Sequence, residues 1–169
     1  MNEFIKGETI YLRPVEESDA ERCIEWLNDQ ETTIFMEHGI YPQKLDNEIE
    51  YIKNAECMLA IISRETDEHI GNIELKVNRH TATISILIGK ERGNGHGTEA
   101  VKLLVDHAFN RIDLHCIKAG TNSLNMACQK VFIKNGFKEY GYGKCYFRGK
   151  DFLIYKYKLT KKEWEKRND

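Results

Sequence analysis

The chain is short of the features that mark several large classes of protein. It has 2 prolines, Pro14 and Pro42, in 169 residues, so no proline-rich arm or linker divides it. No apolar run approaches the roughly 20 residues that cross a bilayer as a helix. Neither sign of charge dominates: 25 Lys and Arg stand against 27 Asp and Glu, without the basic excess of a nucleic-acid surface. The five cysteines, Cys23, Cys57, Cys116, Cys128 and Cys145, are odd in number and contain no C-x-x-C pair. That excludes a simple disulfide framework and favours reduced thiols. The six histidines show no metal-ligand spacing with cysteine or carboxylate, so no metal is expected. The opening residues Met1 to Lys6 hold no apolar stretch of signal length. A cytoplasmic protein with neither a nucleic-acid nor a membrane partner is the expectation.

What is present is an ordinary globular mixture, with 41% hydrophobic residues and 31% charged. There is no internal repeat or low-complexity tract, so one domain over residues 1–169 is expected. Alternation and a closing proline predict a first strand over Thr9 to Pro14. Ser18 and Glu21 read as a capping box opening a helix with Ala20, Cys23, Ile24 and Leu27 on its apolar face. A polar stretch, Asn28 to Gln43, precedes a short amphipathic helix carrying Leu45, Ile49 and Ile52. Strands are predicted over Met58 to Ser63, Ile70 to Val77 and Thr81 to Ile88, the last two as a hairpin around Asn78 to His80. Apolar spacing then turns helical from Gly97 to Phe109. A strand over Leu114 to Thr121 follows. Next comes a helix over Asn122 to Asn135, with Leu124, Cys128, Val131 and Phe132 on one face and Gly136 as its stop. Phe137 to Phe147 and Asp151 to Leu159 read as strands joined at residues 148–150. Thr160 and Glu163 form a second capping box at a terminal helix.

The fold class expected is therefore α/β (α+β). A mixed central sheet of about seven strands, mostly antiparallel, contains one parallel βαβ unit and is flanked by about four helices.

The strongest local signal is Arg92-Gly-Asn-Gly-His-Gly97, set between a buried strand and a helix. Glycines at 93, 95 and 97 permit positive φ and close approach of a ligand to the backbone. The first turn of the helix offers unpaired N–H groups and the positive end of its dipole, and Arg92 adds a charge. Such a corner binds phosphate. No G-K-[ST] string follows, which excludes a P-loop. Gly95-x-Gly97-x-x-Ala100 fits a dinucleotide fingerprint in form. However, the next strand ends Lys118-Ala-Gly-Thr121, without the acid that would hold a ribose.

Arg92-x-x-Gly95-x-Gly97 resembles the R/Q-x-x-G-x-G/A motif of the GNAT acetyltransferases. The resemblance runs nearly the full chain. Ile10 to Pro14 with Ser18-Asp-Ala20 looks like the opening of the subgroup with ribosomal-protein N-terminal, spermidine and amino-sugar acetyltransferases. Ile70-Gly-Asn-Ile-Glu-Leu75 is similar to its third strand. Asn125-x-x-Cys128 with Asn135-Gly-Phe137 resembles its N-x-x-S/A…G-F signature. The resemblance implies a GNAT fold, its sheet splayed at the parallel unit, and acetyl-CoA as donor substrate. Backbone groups of Ile86, Leu87 and Ile88 are then expected to pair with the pantetheine arm. Arg92, Gly93, Asn94, Gly95, His96, Gly97 and Thr98 would hold the pyrophosphate. Asn125 would bond the pantetheine or ribose, and Lys130 is a candidate for the adenosine 3′-phosphate.

The implied reaction is direct attack of an amine on a thioester in a ternary complex. An alkylammonium, with a pKa of about 10, must first lose a proton. Glu74, in an otherwise apolar strand, is the first candidate for the base, and His80 in the hairpin turn is the second. Many GNAT enzymes place a tyrosine seven residues after the helix-start asparagine. Here that position is Phe132, which has no proton to give, and Cys128 is the candidate acid. Glu31, Glu37 and His38 could recognise a cation. The acceptor expected is an amino sugar or other small amine, with a peptide N-terminus or a polyamine as alternatives, and a homodimer stays open. The reading of another class is a non-catalytic acyl-CoA sensor, which the missing tyrosine would favour.

Overall fold

The computed structural model describes residues 2–36 and 39–168. In chain order they form β1 (Ile5–Lys6), β2 (Ile10–Pro14), α1 (Ala20–Leu27), α2 (Leu45–Asn54), β3 (Met58–Ser63), β4 (His69–Asn78) and β5 (Thr81–Ile88). These are followed by α3 (His96–Arg111), β6 (Cys116–Asn122), α4 (Met126–Lys134), β7 (Lys138–Phe147), β8 (Lys150–Thr160) and α5 (Lys161–Arg167). The strands make one sheet in the order β1-β2-β3-β4-β5-β6-β8-β7. This mixed α/β sheet with one parallel pair is the GNAT fold, with one strand more than the sequence suggested; five helices stand where about four were expected to flank the sheet, each at a segment already read as helical. The two-residue β1 pairs with β2 and is too short for a period to show.

Strand alternation divides the side chains between two faces. Ile73 and Leu75 of β4 enter the main core with Ala100, Val101, Leu104 and Val105 of α3 and Phe132 of α4. Asn72, Glu74 and Lys76 of the same strand face the other way, toward α1 and α2. Leu104 and Ile73 are fully buried, and apolar burial of about 25 cal/mol per Å² makes this core the main stabilising term.

Three local expectations change. The first helical segment is a 3-10 turn over Glu17–Asp19. Its box is made by Glu16 and Asp19, not Ser18 and Glu21, because the Asp19 Oδ2 accepts from the Glu16 N–H at 2.8 Å. Next, β6 runs on to Asn122, so α4 begins only at Met126, and Leu124 is 55% exposed outside the helix. Asn125 is its N-cap, with Oδ1 accepting from the Cys128 N–H at 3.2 Å. Leu114 is buried but precedes the strand. The Thr160 and Glu163 box forms as expected, and Gly136, at φ 86°, ends α4 with its N–H donated to the Ile133 carbonyl.

Asp19 also accepts both guanidinium N–H groups of Arg13, at 2.8 and 3.0 Å, and faces His69 Nδ1 at 3.6 Å. Burial alone would push its carboxyl up, but His69, Arg13 and the Glu16 N–H outweigh that and hold it well below the usual range. A carboxyl with a lowered folded-state pKa binds its proton more readily in the unfolded chain. Its stabilising contribution is therefore complete above about pH 4 and is lost as pH falls through the folded-state value. Asp19→Asn should lower the neutral-pH melting temperature and flatten its dependence below about pH 4. Thermal melts of both proteins across that window check this, and parallel curves would refute it.

Candidate functional site

The parallel pair is the origin of the site. β5 and β6 pair only over Thr81–Thr83 against Cys116–Lys118. Beyond that β5 stays with β4 as far as Ile88, while β6 follows β8 as far as Asn122. The two strands part, and the outer backbone edge of Ser85 to Ile88 faces a gap instead of a neighbour. An unpaired strand edge is a template for an extended ligand.

The glycine-rich turn lies at the end of that edge. Glu91, Gly93 and Gly95 have φ of 54°, 82° and 81°, and Arg92 and Asn94 between them are not in the left-handed region. Alternation of this kind turns successive N–H groups inward as an anion nest. A Cβ at Gly93 or Gly95 would meet nothing within 4 Å, so the space above the turn is open to a ligand. Gly97 differs: its Cβ would stand 3.5 to 3.8 Å from Val131, Ile88 and Ile86. It therefore packs the start of α3 against α4 and β5. Thr98 is tied in the same way, its carbonyl accepting from the Asn135 amide at 3.2 Å.

The side chains of the turn do less than the sequence suggested. Arg92 folds back, donating Nε to the Ile88 carbonyl at 3.0 Å and Nη2 to the Thr32 hydroxyl at 2.6 Å. His96 is buried, with Nδ1 3.2 Å from the Thr9 hydroxyl and Nε2 3.7 Å from Glu91. It fastens the turn to the strand layer, leaving its backbone for any ligand. Asn125 spends its oxygen on the α4 cap, so its amide nitrogen is what it can offer. Lys130 is exposed on α4.

On the other face, α1, α2, β3, β4 and the end of β5 line an open cavity of about 430 Å³. Its polar lining includes Glu48, Tyr51, Asn72, Glu74 and Ser85, and its apolar lining includes Met36 and Met58. Ile86 and Leu87 line it as well, so cavity and gap share one stretch of β5. Tyr51 donates its hydroxyl to Glu74 Oε1 at 2.5 Å. Behind the cavity a chain of contacts orients Asn72: His69 Nε2 lies 2.7 Å from its Oδ1, and its amide donates to Cys23 Sγ at 3.2 Å. Trp26 packs edge-on against His69, 4.9 Å between ring centres, and lies so close to Gly89 that a Cβ there would sit 2.2 Å from the indole.

The structure brings Glu74 into this cavity and takes His80 out of it. His80 stands in the turn just before β5, whose first residue Thr81 is a run of about 17 Å at strand rise from Ile86. It stacks on His115 with ring centres 4.8 Å apart, and Asp113 completes an exposed group whose ligand atoms lie within 4.8 Å of one another. The parallel register of Thr81 with Cys116 causes this meeting, which sequence spacing cannot show. Cys128 lies over the core edge beside Thr121, and burial raises its thiol pKa. Glu31 is exposed, and Glu37 and His38 lie outside the described residues. The residues missed are Glu48, Tyr51 and Asn72. Glu48 was open to notice as an acid four residues before Ile52 on the apolar stripe of α2, and Asn72 as a strand-period neighbour of Glu74.

The loop before α2 bridges both banks of the gap. Thr32 holds Arg92 from the β5 side, and the Thr33 carbonyl accepts from Arg148 at the β7–β8 tip at 3.1 Å. The splayed sheet thus carries a backbone nest at the end of one free strand edge and a lined cavity on the adjoining face. The acetyltransferase (GNAT) domain model matches residues 9–138. The chain belongs to that family, the acyl-CoA-dependent N-acetyltransferases. It is similar to a probable N-acetyltransferase, YjcK, of Bacillus subtilis strain 168, with 31% identity over 160 residues, 81% of this chain and 84% of that protein. Its fold is similar to that of spermidine N-acetyltransferase from Vibrio cholerae in complex with CoA and spermine. There the TM-score is 0.82 at 20% identity, over 94% of this chain and 99% of that one. RimL, a ribosomal alpha-N-protein acetyltransferase solved with coenzyme A, gives a TM-score of 0.81 at 16% identity over 91% and 95%. No helix among the described residues is long and apolar enough to cross a membrane.

Proposed function

We propose that the chain transfers an acetyl group from acetyl-CoA to a primary amine by direct attack in a ternary complex, the acceptor being an amino sugar or another small amine. The observation that carries this is the shared stretch Ile86–Leu87. One side of it faces the gap and the other lines the cavity, so a thioester held along the strand edge would meet an amine held in the cavity. The nest at Glu91 to Gly95 suits the pyrophosphate, and the free edge of β5 suits the pantetheine amides.

The chemistry asked of the protein is modest. It must position the two substrates, which alone can supply a large part of the rate, and it must receive a proton from the ammonium. Two carboxylates of the cavity lining, Glu48 and Glu74, stand within its walls to serve the ammonium. Cys128 is a poor source of the proton for the departing sulfur. A thiol raised by burial gives its proton uphill to a thiolate whose own acid has a pKa of about 8.5. The nitrogen that attacks carries a proton of its own to pass on.

The cavity of about 430 Å³ is open to solvent, and its apolar walls Leu27, Met36 and Met58 suit a compact, partly apolar acceptor better than a polycation. Thiol release from acetyl-CoA should be measured with glucosamine, benzylamine, spermidine and an alanyl peptide. Turnover fastest with one of the first two is expected, and turnover confined to the peptide or spermidine would move the acceptor assignment. Stabilisation by CoA with no turnover on any amine would support the acyl-CoA sensor. Absence of stabilisation by CoA would remove both readings.

A further inference from the structure

Two carboxylates line the cavity, and they are not in the same condition. Glu74 is matched: Tyr51 donates to it at 2.5 Å, and Lys76, whose ammonium lies 5.5 Å from the Tyr51 ring centre, stands beside the pair. Glu48 is 8% exposed and lines the cavity from α2. No described residue gives its carboxylate a hydrogen bond or an ion pair. Its oxygens are not sealed from the cavity, so a cation entering there reaches a partly desolvated carboxylate that has no partner. The other titratable groups facing this space are Lys76 and Glu74 from β4, Tyr51 from α2 and Cys23 from α1. Cys23 is neutral, since burial pushes its thiol up to about 11. Lys76 is the one basic residue among the described lining, and it is engaged by Tyr51. The remaining walls, Leu27, Met36 and Met58, are apolar.

The geometry points to a cation site between Glu48 and Glu74, in which Glu48 takes the proton from the acceptor ammonium and Glu74 anchors it; this rests on the acetyl-transfer reading above. The acceptor class is a protonated primary amine on a compact, partly apolar body. One proton passes from the ammonium nitrogen to a Glu48 oxygen, leaving a neutral amine and a neutral carboxyl. The nitrogen lone pair then forms the C–N bond as the thioester C–S bond breaks. A second nitrogen proton goes to the sulfur, and Glu48 returns its proton to solvent. The environment suits this division. Burial, then the charge of Glu74, raises the Glu48 carboxyl, which narrows its gap to an ammonium near 10.4 and makes it the better acceptor of a proton. Tyr51 fixes the Glu74 carboxyl in place through its hydrogen bond, at the cavity wall where the cation would lie.

Two readouts test the assignment. Carbon NMR of protein labelled at the glutamate carboxyls, with Glu48→Gln for assignment, should show the Glu48 carboxyl titrating above the usual carboxylate range. It should titrate lower in Glu74→Gln and respond to benzylamine. Ordinary titration, unmoved by Glu74→Gln and by benzylamine, would overturn the cation site whether or not any amine is turned over. With the best amine of the panel, Glu48→Gln should lose about 100-fold or more in kcat, keep its CoA affinity and lose the acidic limb of the rate profile. Glu74→Gln should mainly raise the amine KM. If the limb persists in Glu48→Gln and vanishes in Glu74→Gln, Glu74 is the base. Loss of CoA binding in the unmodified protein would instead count against the acetyl-transfer reading, because the NMR titration does not depend on the donor.

Discussion

Gly95→Val is expected to weaken CoA binding by about 10–100-fold, which corresponds to roughly 1.4–2.7 kcal/mol. Two causes act together. Gly95 has a φ of 81°, where an L-residue is disfavoured by roughly 1–2 kcal/mol and a β-branched one more. In addition, the space a side chain would enter is open, with nothing within 4 Å of a Cβ, so the valine would project where a pyrophosphate must approach. Gly95→Asn separates the causes, since asparagine tolerates the left-handed region. It should keep the turn and still lose affinity by occupying the approach. Isothermal calorimetry with CoA on the three proteins reads the effect. Full affinity in a folded Gly95→Val protein would remove the pyrophosphate from this turn.

Phe132→Ala should cost about 3–5 kcal/mol of stability, as truncation of a buried aromatic does. Phe132 is 1% exposed and packs against Phe137 at 5.3 Å and Tyr157 at 6.2 Å between ring centres. That placement also answers what the absent tyrosine means. The ring at this position points into the core among α3 and α4 residues, so a hydroxyl added to it lands among apolar side chains. Phe132→Tyr is therefore expected to lose about 1–3 kcal/mol for a buried group without a partner and to leave kcat unimproved. Denaturant unfolding with a parallel activity assay reads both. A tyrosine variant that is stable and several-fold faster would show that the ring reaches the donor sulfur.

Much of the fold was legible because its signals are local. The apolar spacing of Val101, Leu104, Val105 and Ala108 announces α3, and all four are buried. Thr160 and Glu163 announce α5 through the contacts that cap it. Ser18 and Glu21 misled because two acids set two residues earlier, Glu16 and Asp19, make the box instead. There the Asp19 carboxylate serves the Glu16 N–H and Arg13 at once, and a one-dimensional pattern does not rank competing acceptors. The start of α4 was placed too early because Asn122 to Leu124 continue β6 and its exit, where pairing with β8 outweighs helical spacing. Glu74 was found from its oddity in an apolar strand, whereas Glu48 sat unremarked among the charges of α2.

The sequence by itself determined the order of the main elements, the core face of α3 and of the inner strands, and the glycine turn, since each depends on residues within a turn or two of one another. Tertiary structure decided the rest. Only the short parallel register of β5 with β6 opens the gap and carries His80 to His115, away from the cavity. Only the packing of α2 over β4 brings Glu48, Tyr51 and Glu74 to one cavity. Those outcomes depend on pairing and burial between residues tens of positions apart, and such energies are set by the assembled neighbours of a side chain instead of by its place in the chain.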